Sequence, residues 1–189
     1  MNRLILTNCA LVALAACASP SSPTESEVDV DRAFLDTLDA SELPITPIEN
    51  LPAGTITYDG NIGADLQGDS AGSLLGDLTL RVDFDDNRIG GNIRNLNLID
   101  QSGEPDQLLE GRLQIDGFEN DGRLNAGAGG QLTAVSIDGQ ELDADLDLDL
   151  RGTVRDDQIN GDAVFGTATG TATGDFNLLI DGAFAGRER

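Results

Sequence analysis

The segment ELDADLDLDLRGTV, residues 141–154, alternates apolar and polar residues with a period of two. Leu142, Ala144, Leu146, Leu148 and Leu150 share one parity, and the residues between them are carboxylates followed by an arginine. Successive side chains of a β-strand point to opposite faces of the sheet. The segment therefore predicts a strand with one buried and one solvated face, a pattern typical of antiparallel sheets.

The same period recurs on both sides of this segment. It is found in residues 78–84, 109–115 and 176–184, and turn signals such as Asp138-Gly139 separate the runs. A break in parity near Arg94 and Asn95 predicts a β-bulge. Together these patterns predict eight strands, near residues 54–60, 75–85, 88–98, 107–117, 121–137, 141–154, 157–166 and 173–184.

Eight sequential strands joined by hairpins predict an all-β fold, an eight-stranded antiparallel up-and-down β-barrel over residues 51–186. Aromatic residues make up only 4% of the chain and Trp is absent, so the aromatic girdles of a membrane-spanning barrel cannot be built. Placing the alternating carboxylates inside a narrow barrel would bury unpaired charge. We therefore expect a soluble barrel with its apolar parity inside and with inward-facing glycines at Gly111, Gly161 and Gly182.

The N-terminus has the three parts of an export signal. Arg3 is followed by a mostly apolar run over residues 4–14, which is too short to cross a bilayer. Leu14-Ala15-Ala16-Cys17 resembles the lipobox of bacterial lipoproteins, which implies cleavage between Ala16 and Cys17 and lipidation of Cys17. Ala18 follows where an Asp would favour inner-membrane retention, so we expect an outer-membrane anchor, with the periplasmic or surface face left open. The alternative is an ordinary secretory signal with an incidental cysteine.

The sequence thus divides into three regions. Residues 1–16 are the expected signal peptide, residues 17–50 a lipidated N-terminus and acidic Ser/Pro-rich tether, and residues 51–186 the barrel domain. Within the tether, residues 29–43 predict either a short helix or a disordered acidic spacer. In the helical alternative Asp31 is the expected cap, and Phe34, Leu35 and Leu38 share one face.

Composition excludes several classes of function. The chain has no His and no Trp, its cysteines are Cys9 and Cys17, and its eleven basic residues are all Arg. Without His or a free thiol, Ser-His-Asp and Cys-His catalysis and His- or Cys-based metal centres are not available. A net charge of −23 disfavours nucleic acid, whose binding depends on cationic contacts to phosphate. We expect no enzymatic activity, no catalytic residues and no cofactor.

Three segments carry a resemblance to a known family. LPAGTITYDG at residues 51–60, the strand-turn-strand at residues 78–98 and IDGAFAG at residues 180–186 are similar to barrel domains of transferrin-binding protein B-like surface lipoproteins. The resemblance implies a barrel of the C-terminal-lobe type, a cell-surface location and a role in binding a protein or solute ligand.

The candidate binding residues lie in the connections expected to be longest, residues 60–74 and 99–107, since scaffolds of this kind carry recognition on loops. They are Asp65, Gln67, Asp100 and Gln101, together with Phe118 at a hairpin end. Two alternatives remain open. One is a structural envelope lipoprotein without a soluble ligand, and the other is a lipocalin-like small-molecule carrier, although the Gly-x-Trp typical of lipocalins is absent.

A weak candidate for a metal site is the carboxylate run Asp143, Asp145, Asp147 and Asp149. It resembles the start of an EF-hand loop, but Leu148 and Val154 stand where that loop needs Gly and Glu. The alternation is explained as the solvated face of one strand, and we predict no specific metal site there.

Overall fold

A computed structural model describes residues 30–69, 71–136 and 138–189, apart from the side chains of Asp31 and Leu35. The predictions for the signal peptide, for Cys17 and for most of the tether lie outside these residues. The described part of the chain consists of one α-helix, one 3₁₀ turn and nine β-segments. They are α1 Val30–Glu42, the 3₁₀ turn Ile48–Asn50, β1 Thr55–Gly68, β2 Gly72–Asp83, β3 Arg88–Ile99, β4 Pro105–Gly111, β5 Leu113–Asn120, β6 Arg123–Val135, β7 Glu141–Arg155, β8 Ala163–Gly174 and β9 Leu178–Glu188.

The strands form a closed antiparallel barrel. Apart from β4 and β5, which do not pair with each other, consecutive strands are paired, and β9 returns to pair with β1, so that Ile62 lies opposite Phe184. β4 and β5 together occupy one position between β3 and β6, because the strand is interrupted at Arg112. The eight-stranded up-and-down barrel predicted from the sequence is confirmed. We call the connections after β2, β5 and β7 the upper rim, and those after β1, β3, β6 and β8 the lower rim.

The apolar parity fills the interior of the barrel. On β7, Ala144, Leu146, Leu148 and Leu150 are each no more than 4% exposed, whereas the alternating carboxylates are exposed. This confirms the face assignment made from residues 141–154. The largest fully buried side chains come from several strands around the barrel, among them Tyr58, Ile62, Leu78, Leu80, Ile93, Leu113, Ile115, Leu132 and Phe184.

The ring of Phe184 covers two interior glycines. Gly152, Gly166 and Phe184 are cross-strand neighbours on β7, β8 and β9. A Cβ added to Gly152 would lie 2.8 Å from Cζ of Phe184, and one added to Gly166 would lie 2.7 Å from its Cε1. The two glycines therefore leave the space that the aromatic ring occupies, and this part of the core depends on a single large side chain.

The three glycines expected to face inward have different positions. Gly182 has the inward parity of β9, and a Cβ there would meet the Gly63 carbonyl oxygen at 2.1 Å. Gly161 lies in the connection after β7 with φ +87°, and Gly111 ends β4 with φ +131°; both are exposed. The prediction is thus wrong for Gly111 and Gly161, whose role is to adopt backbone angles that residues with a Cβ rarely reach.

The first hairpin is longer than expected. Residues 60–74 were predicted as a loop, but β1 continues to Gly68 and β2 begins at Gly72. Pairing is continuous from Thr55 opposite Asp83 to Leu66 opposite Gly72. The small residues of this region permit close strand approach: a Cβ on Gly60 would lie 2.0 Å from the Ala185 carbonyl oxygen.

The bulge predicted near Arg94 and Asn95 is confirmed. The register between β2 and β3 shifts between Leu75 and Asp77, because Asp77 pairs with Arg94 whereas Leu75 pairs with Asn97. Asn95 has φ +51°, and its Nδ2 donates to Asp77 Oδ2 at 2.7 Å. The extra residue turns Leu96 into the core, where it is fully buried.

The last two strands begin later than predicted, at Ala163 and Leu178. Residues 156–162, expected to begin the first of them, form an upper-rim connection. Asp157 organises this turn. Its Oδ1 accepts the backbone N–H groups of Ile159 and Asn160, while its Oδ2 accepts Asn160 Nδ2 and forms an ion pair with Arg187 on β9. An aspartate that satisfies neighbouring backbone donors in this way competes with strand pairing.

The interactions of Asp157 make the stability of the fold depend on pH. Hydrogen bonds from the Asn160 side chain and the Ile159 backbone, together with Arg187, lower the pKa of Asp157 from 3.8 to about 2. The folded protein therefore stabilises the ionised carboxylate of Asp157 relative to the unfolded chain. This adds to the free energy of unfolding above about pH 4, and the added stability is lost as the pH falls towards about 2. We expect Asp157→Asn to flatten the pH dependence of the urea midpoint in that interval. Asp147→Asn, on the exposed face of β7, controls for the loss of one charge, and an unchanged slope in Asp157→Asn would contradict this account.

Helix α1 lies on the outside of the barrel, which resolves the alternatives for residues 29–43 in favour of a helix. It packs against β1, β8 and β9 and buries Ala33 and Ala40, which are 5% and 1% exposed. Phe34 and Leu38, expected to share a face with Leu35, are 66% and 44% exposed. The barrel surface beneath the helix carries small residues, Gly63 and Ala183 among them, and so favours a close approach by the alanine face.

The chain after α1 crosses to the upper rim and pairs with the end of β7. Ile45 forms a bridge with Arg155, Thr46 N–H donates to the Val154 carbonyl at 3.1 Å, and Arg155 Nη1 donates to the Leu43 carbonyl at 2.9 Å. These bonds satisfy backbone groups at the end of the helix and of the strand. The contacts fix α1 to the barrel at its C-terminal end.

Candidate functional site

A groove of about 740 Å³ lies between α1 and the outer surface of the barrel, next to the lower rim. This volume is within the range of known ligand sites. The helix contributes one wall, β1, β2 and β9 contribute the floor, and the connection after β3 closes one end. The lining residues include Val30, Ala33, Phe34, Thr37, Gly63, Asp65, Leu75, Ile99, Asp100, Gln101, Asp181 and Ala183.

Small side chains line the groove where the helix meets the barrel. Ala33 and Thr37 of α1 and Gly63 and Ala183 of the barrel all line it, and none of the four has a side chain long enough to fill the space. Phe34 lies at the groove but is 66% exposed. An exposed aromatic side chain beside an apolar groove provides contact area for a ligand.

Carboxylates surround the groove. Asp65 on β1 lies directly opposite Asp181 on β9, and both are exposed on the outer face. Like charges in directly opposed positions are destabilising. Asp100, at the end of the groove, accepts hydrogen bonds from the Ser102 hydroxyl at 2.7 Å and from Glu104 N–H at 3.0 Å, and these bonds lower its pKa. None of the described lining residues is basic, so the groove is acidic.

The structure brings three of the five predicted binding residues together. Asp65, Asp100 and Gln101 all line the groove, although Asp65 lies on strand β1 and not in a loop. Gln67 lies further along β1, beside a separate shallow groove at the lower rim. Phe118 is 58% exposed on β5, near the upper rim. Sequence reasoning did not find the contribution of α1, because its alanine face gave no sign of a ligand site.

The interior of the barrel is occupied by protein side chains at the positions where a small-molecule carrier would hold its ligand. Tyr58 and Phe184, its largest members, are 0% and 1% exposed. Burial raises the pKa of the Tyr58 hydroxyl, and the nearby carboxylates of Asp162 and Glu188 add to this effect. The groove under α1, on the outside, is a better candidate for a binding site than the core.

The candidate metal ligands are spread along one strand. Asp143, Asp145, Asp147 and Asp149 are all exposed on the outer face of β7, and Asp143 accepts a hydrogen bond from the Thr133 hydroxyl at 2.6 Å. Within residues 30–69, 71–136 and 138–189, no group of three or more His, Cys, Asp or Glu side chains is placed to hold a metal ion. The carboxylates give the barrel a solvated acidic stripe.

Comparison with protein-family models, curated proteins and solved structures returned no match. In the part of the chain that the structure describes, no helix has the length and hydropathy required to cross a membrane.

Proposed function

We propose that the protein is a lipoprotein of the cell envelope, anchored by its lipid in the outer membrane. Its barrel carries a binding groove for a protein partner. The N-terminal pattern ending in Leu14-Ala15-Ala16-Cys17 supports the anchor. The similarity of residues 51–60 and 180–186 to transferrin-binding protein B-like barrels supports a binding role. The observation that carries the proposal is the open groove under α1, which is lined mostly by apolar residues together with Asp65, Asp100 and Asp181.

The position of α1 connects the anchor with the groove. Val30, the first residue of α1, lines the groove, and Cys17 precedes it by only thirteen positions. A chain of that length reaches at most about 45 Å when fully extended. An anchor at Cys17 would therefore hold the groove close to the membrane surface, where a membrane-associated partner would meet it.

The chemistry of the groove defines the partner segment. Val30, Phe34 and Leu75 offer apolar contacts, and the opposed Asp65 and Asp181 offer two negative charges without a basic neighbour among the groove's described lining residues. A peptide segment that combines apolar side chains with Arg or Lys would fit this groove. Its apolar side chains would be buried against the apolar residues, and its cations would relieve the repulsion between Asp65 and Asp181. We infer that the ligand is such a segment of a protein.

The test measures binding of a short synthetic peptide of alternating Leu and Arg. The full chain in detergent is compared with Asp65→Asn/Asp181→Asn and with the matched control Asp145→Asn/Asp147→Asn, which loses the same charge on β7. We expect the groove variant to bind about tenfold more weakly than the control variant.

Two results would contradict the groove proposal. Equal weakening in both variants would show that the peptide responds only to the net charge of −23. Absence of saturable binding to the wild-type protein would favour the alternative of a structural envelope lipoprotein without a soluble ligand.

A further inference from the structure

Three arginines surround one threonine on the outer face of the barrel near the upper rim. Thr153 lies on β7 between Arg151 and Arg155, which share its outward parity. On one side it pairs with Arg123 of β6, and on the other with Phe165 of β8. We call Arg123, Arg151 and Arg155 the arginine cluster. It contains three of the eleven basic residues of a chain whose net charge is −23.

The arginine cluster lines a groove of about 390 Å³, with Thr153 and Phe165 also in its wall. A second groove of about 380 Å³ adjoins it, since Asn125 and Arg151 line both. The exposed ring of Phe118 lies in the second groove. The surface thus combines a cationic part with an adjoining part that presents an aromatic side chain.

Two hydrogen-bonding atoms in the first groove have no partner. Thr153 Oγ1 and Arg155 Nε are both buried, and neither has a hydrogen-bond partner among the described residues. Buried polar groups of proteins are almost always paired. A hydroxyl and a guanidinium N–H can both donate to an oxyanion, so a rotation of either side chain towards the groove would let an oxyanion bound there supply the missing acceptor.

The guanidinium of Arg155 is already held in position. Its Nη1 donates to the Leu43 carbonyl at 2.9 Å, and its Cζ lies 5.4 Å from the centre of the Phe165 ring. Arg151 pairs with Asp149 at 3.3 Å, but both side chains are largely exposed, so this ion pair is weak. Arg155 is therefore preorganised, while Arg151 can turn towards a stronger acceptor.

We propose that the arginine cluster and Thr153 bind the phosphate group of a phosphate monoester whose ring-bearing part contacts Phe118. Arg151 and Arg155 occupy the next outward positions on either side of Thr153 along β7, and Arg123 lies directly opposite it on β6. A group with three terminal oxygens and two negative charges uses such an arrangement more fully than a carboxylate. The net charge of −23 makes general attraction of an anion unfavourable, so binding requires these local contacts. The site is on the opposite rim from the groove under α1 and does not depend on the proposed function.

The experiment is calorimetric titration of the full chain in detergent with inorganic phosphate and with phenyl phosphate. Thr153→Val removes one hydroxyl without a change of charge, and Arg123→Gln removes one cation of the arginine cluster. The matched control is Arg81→Gln, an exposed arginine on β2. We expect the first two variants to bind either ligand about tenfold more weakly and the control to stay within about twofold of the wild type.

Thermal melting separates loss of binding from loss of folding. Because Thr153 Oγ1 is buried without a partner, Thr153→Val should melt no lower than the wild type.

A Phe118→Ala variant should weaken the binding of phenyl phosphate and leave the binding of inorganic phosphate unchanged. Equal affinities of the wild type for the two ligands would overturn the contact with Phe118 and assign free phosphate as the ligand. Absence of saturable phosphate binding, or an equal loss in Arg81→Gln, would overturn the site itself.

Discussion

Replacement of Cys17 by alanine is expected to move the protein from the membrane fraction to the soluble fraction. Each buried methylene of an acyl chain contributes about 0.8 kcal/mol to membrane binding, and stable anchoring takes two chains or their equivalent. A protein that loses all of its acyl chains should therefore leave the membrane almost completely. Ultracentrifugation of lysed cells, followed by detergent phase partition of both fractions, measures the effect.

The chain offers a matched control for this experiment. Cys9 lies within the apolar run of the expected signal, ahead of the cleavage position, so Cys9→Ala should leave the mature protein and its anchor unchanged. Labelling with a fatty-acid analogue should mark the wild type and Cys9→Ala but not Cys17→Ala. If Cys17→Ala remains with the membranes in wild-type proportion, the lipid anchor is wrong.

Replacement of Phe184 by alanine is expected to lower the free energy of unfolding by about 3–5 kcal/mol. The ring is 1% exposed and fills the space above Gly152 and Gly166. Since neither glycine has a side chain that could move into the cavity, the loss should be near the upper end of that interval. This is a large fraction of the stability of an ordinary domain.

Urea unfolding followed by circular dichroism measures this change through the midpoint and the slope of the transition. Leu179→Ala, at an outward position near the start of β9, is the control, because Leu179 is 61% exposed. Its effect should stay within about 0.5 kcal/mol. A loss below about 1 kcal/mol in Phe184→Ala would mean that the surrounding strands close the cavity, and would contradict the role of this ring in filling the core.

The barrel could be predicted because its strands alternate over long stretches. In β7, five apolar residues of one parity decide which face is buried, and a one-residue slip would invert the whole strand. Local chemistry that interrupts alternation was harder to predict. Asp157 is followed by residues compatible with a strand, and only its bonds to Ile159, Asn160 and Arg187 show that the chain turns there.

The binding surfaces could be predicted only in part, because each combines elements distant in sequence. Asp65 and Asp100 were recognisable as polar residues near connections, but their partner in the groove is a helix whose alanine face is neutral on its own. Arg151 and Arg155 visibly share a parity around Thr153. Arg123 joins them only through the register between β6 and β7, which no pattern within one strand specifies.

The pairing of β9 with β1 also determines the order in which the barrel can form. Tyr58 lies opposite Glu188, so this pairing joins the ends of the barrel sequence and carries the largest loop-closure cost of any strand pair. Until β9 arrives, β1 and β8 each present an unpaired edge of the kind that promotes association between chains. We expect the abundant carboxylates on the outer face to slow association between chains whose barrel has not yet closed, because like charges on separate copies repel each other. The acidity of the sequence would then protect the protein while it folds as well as after it has folded.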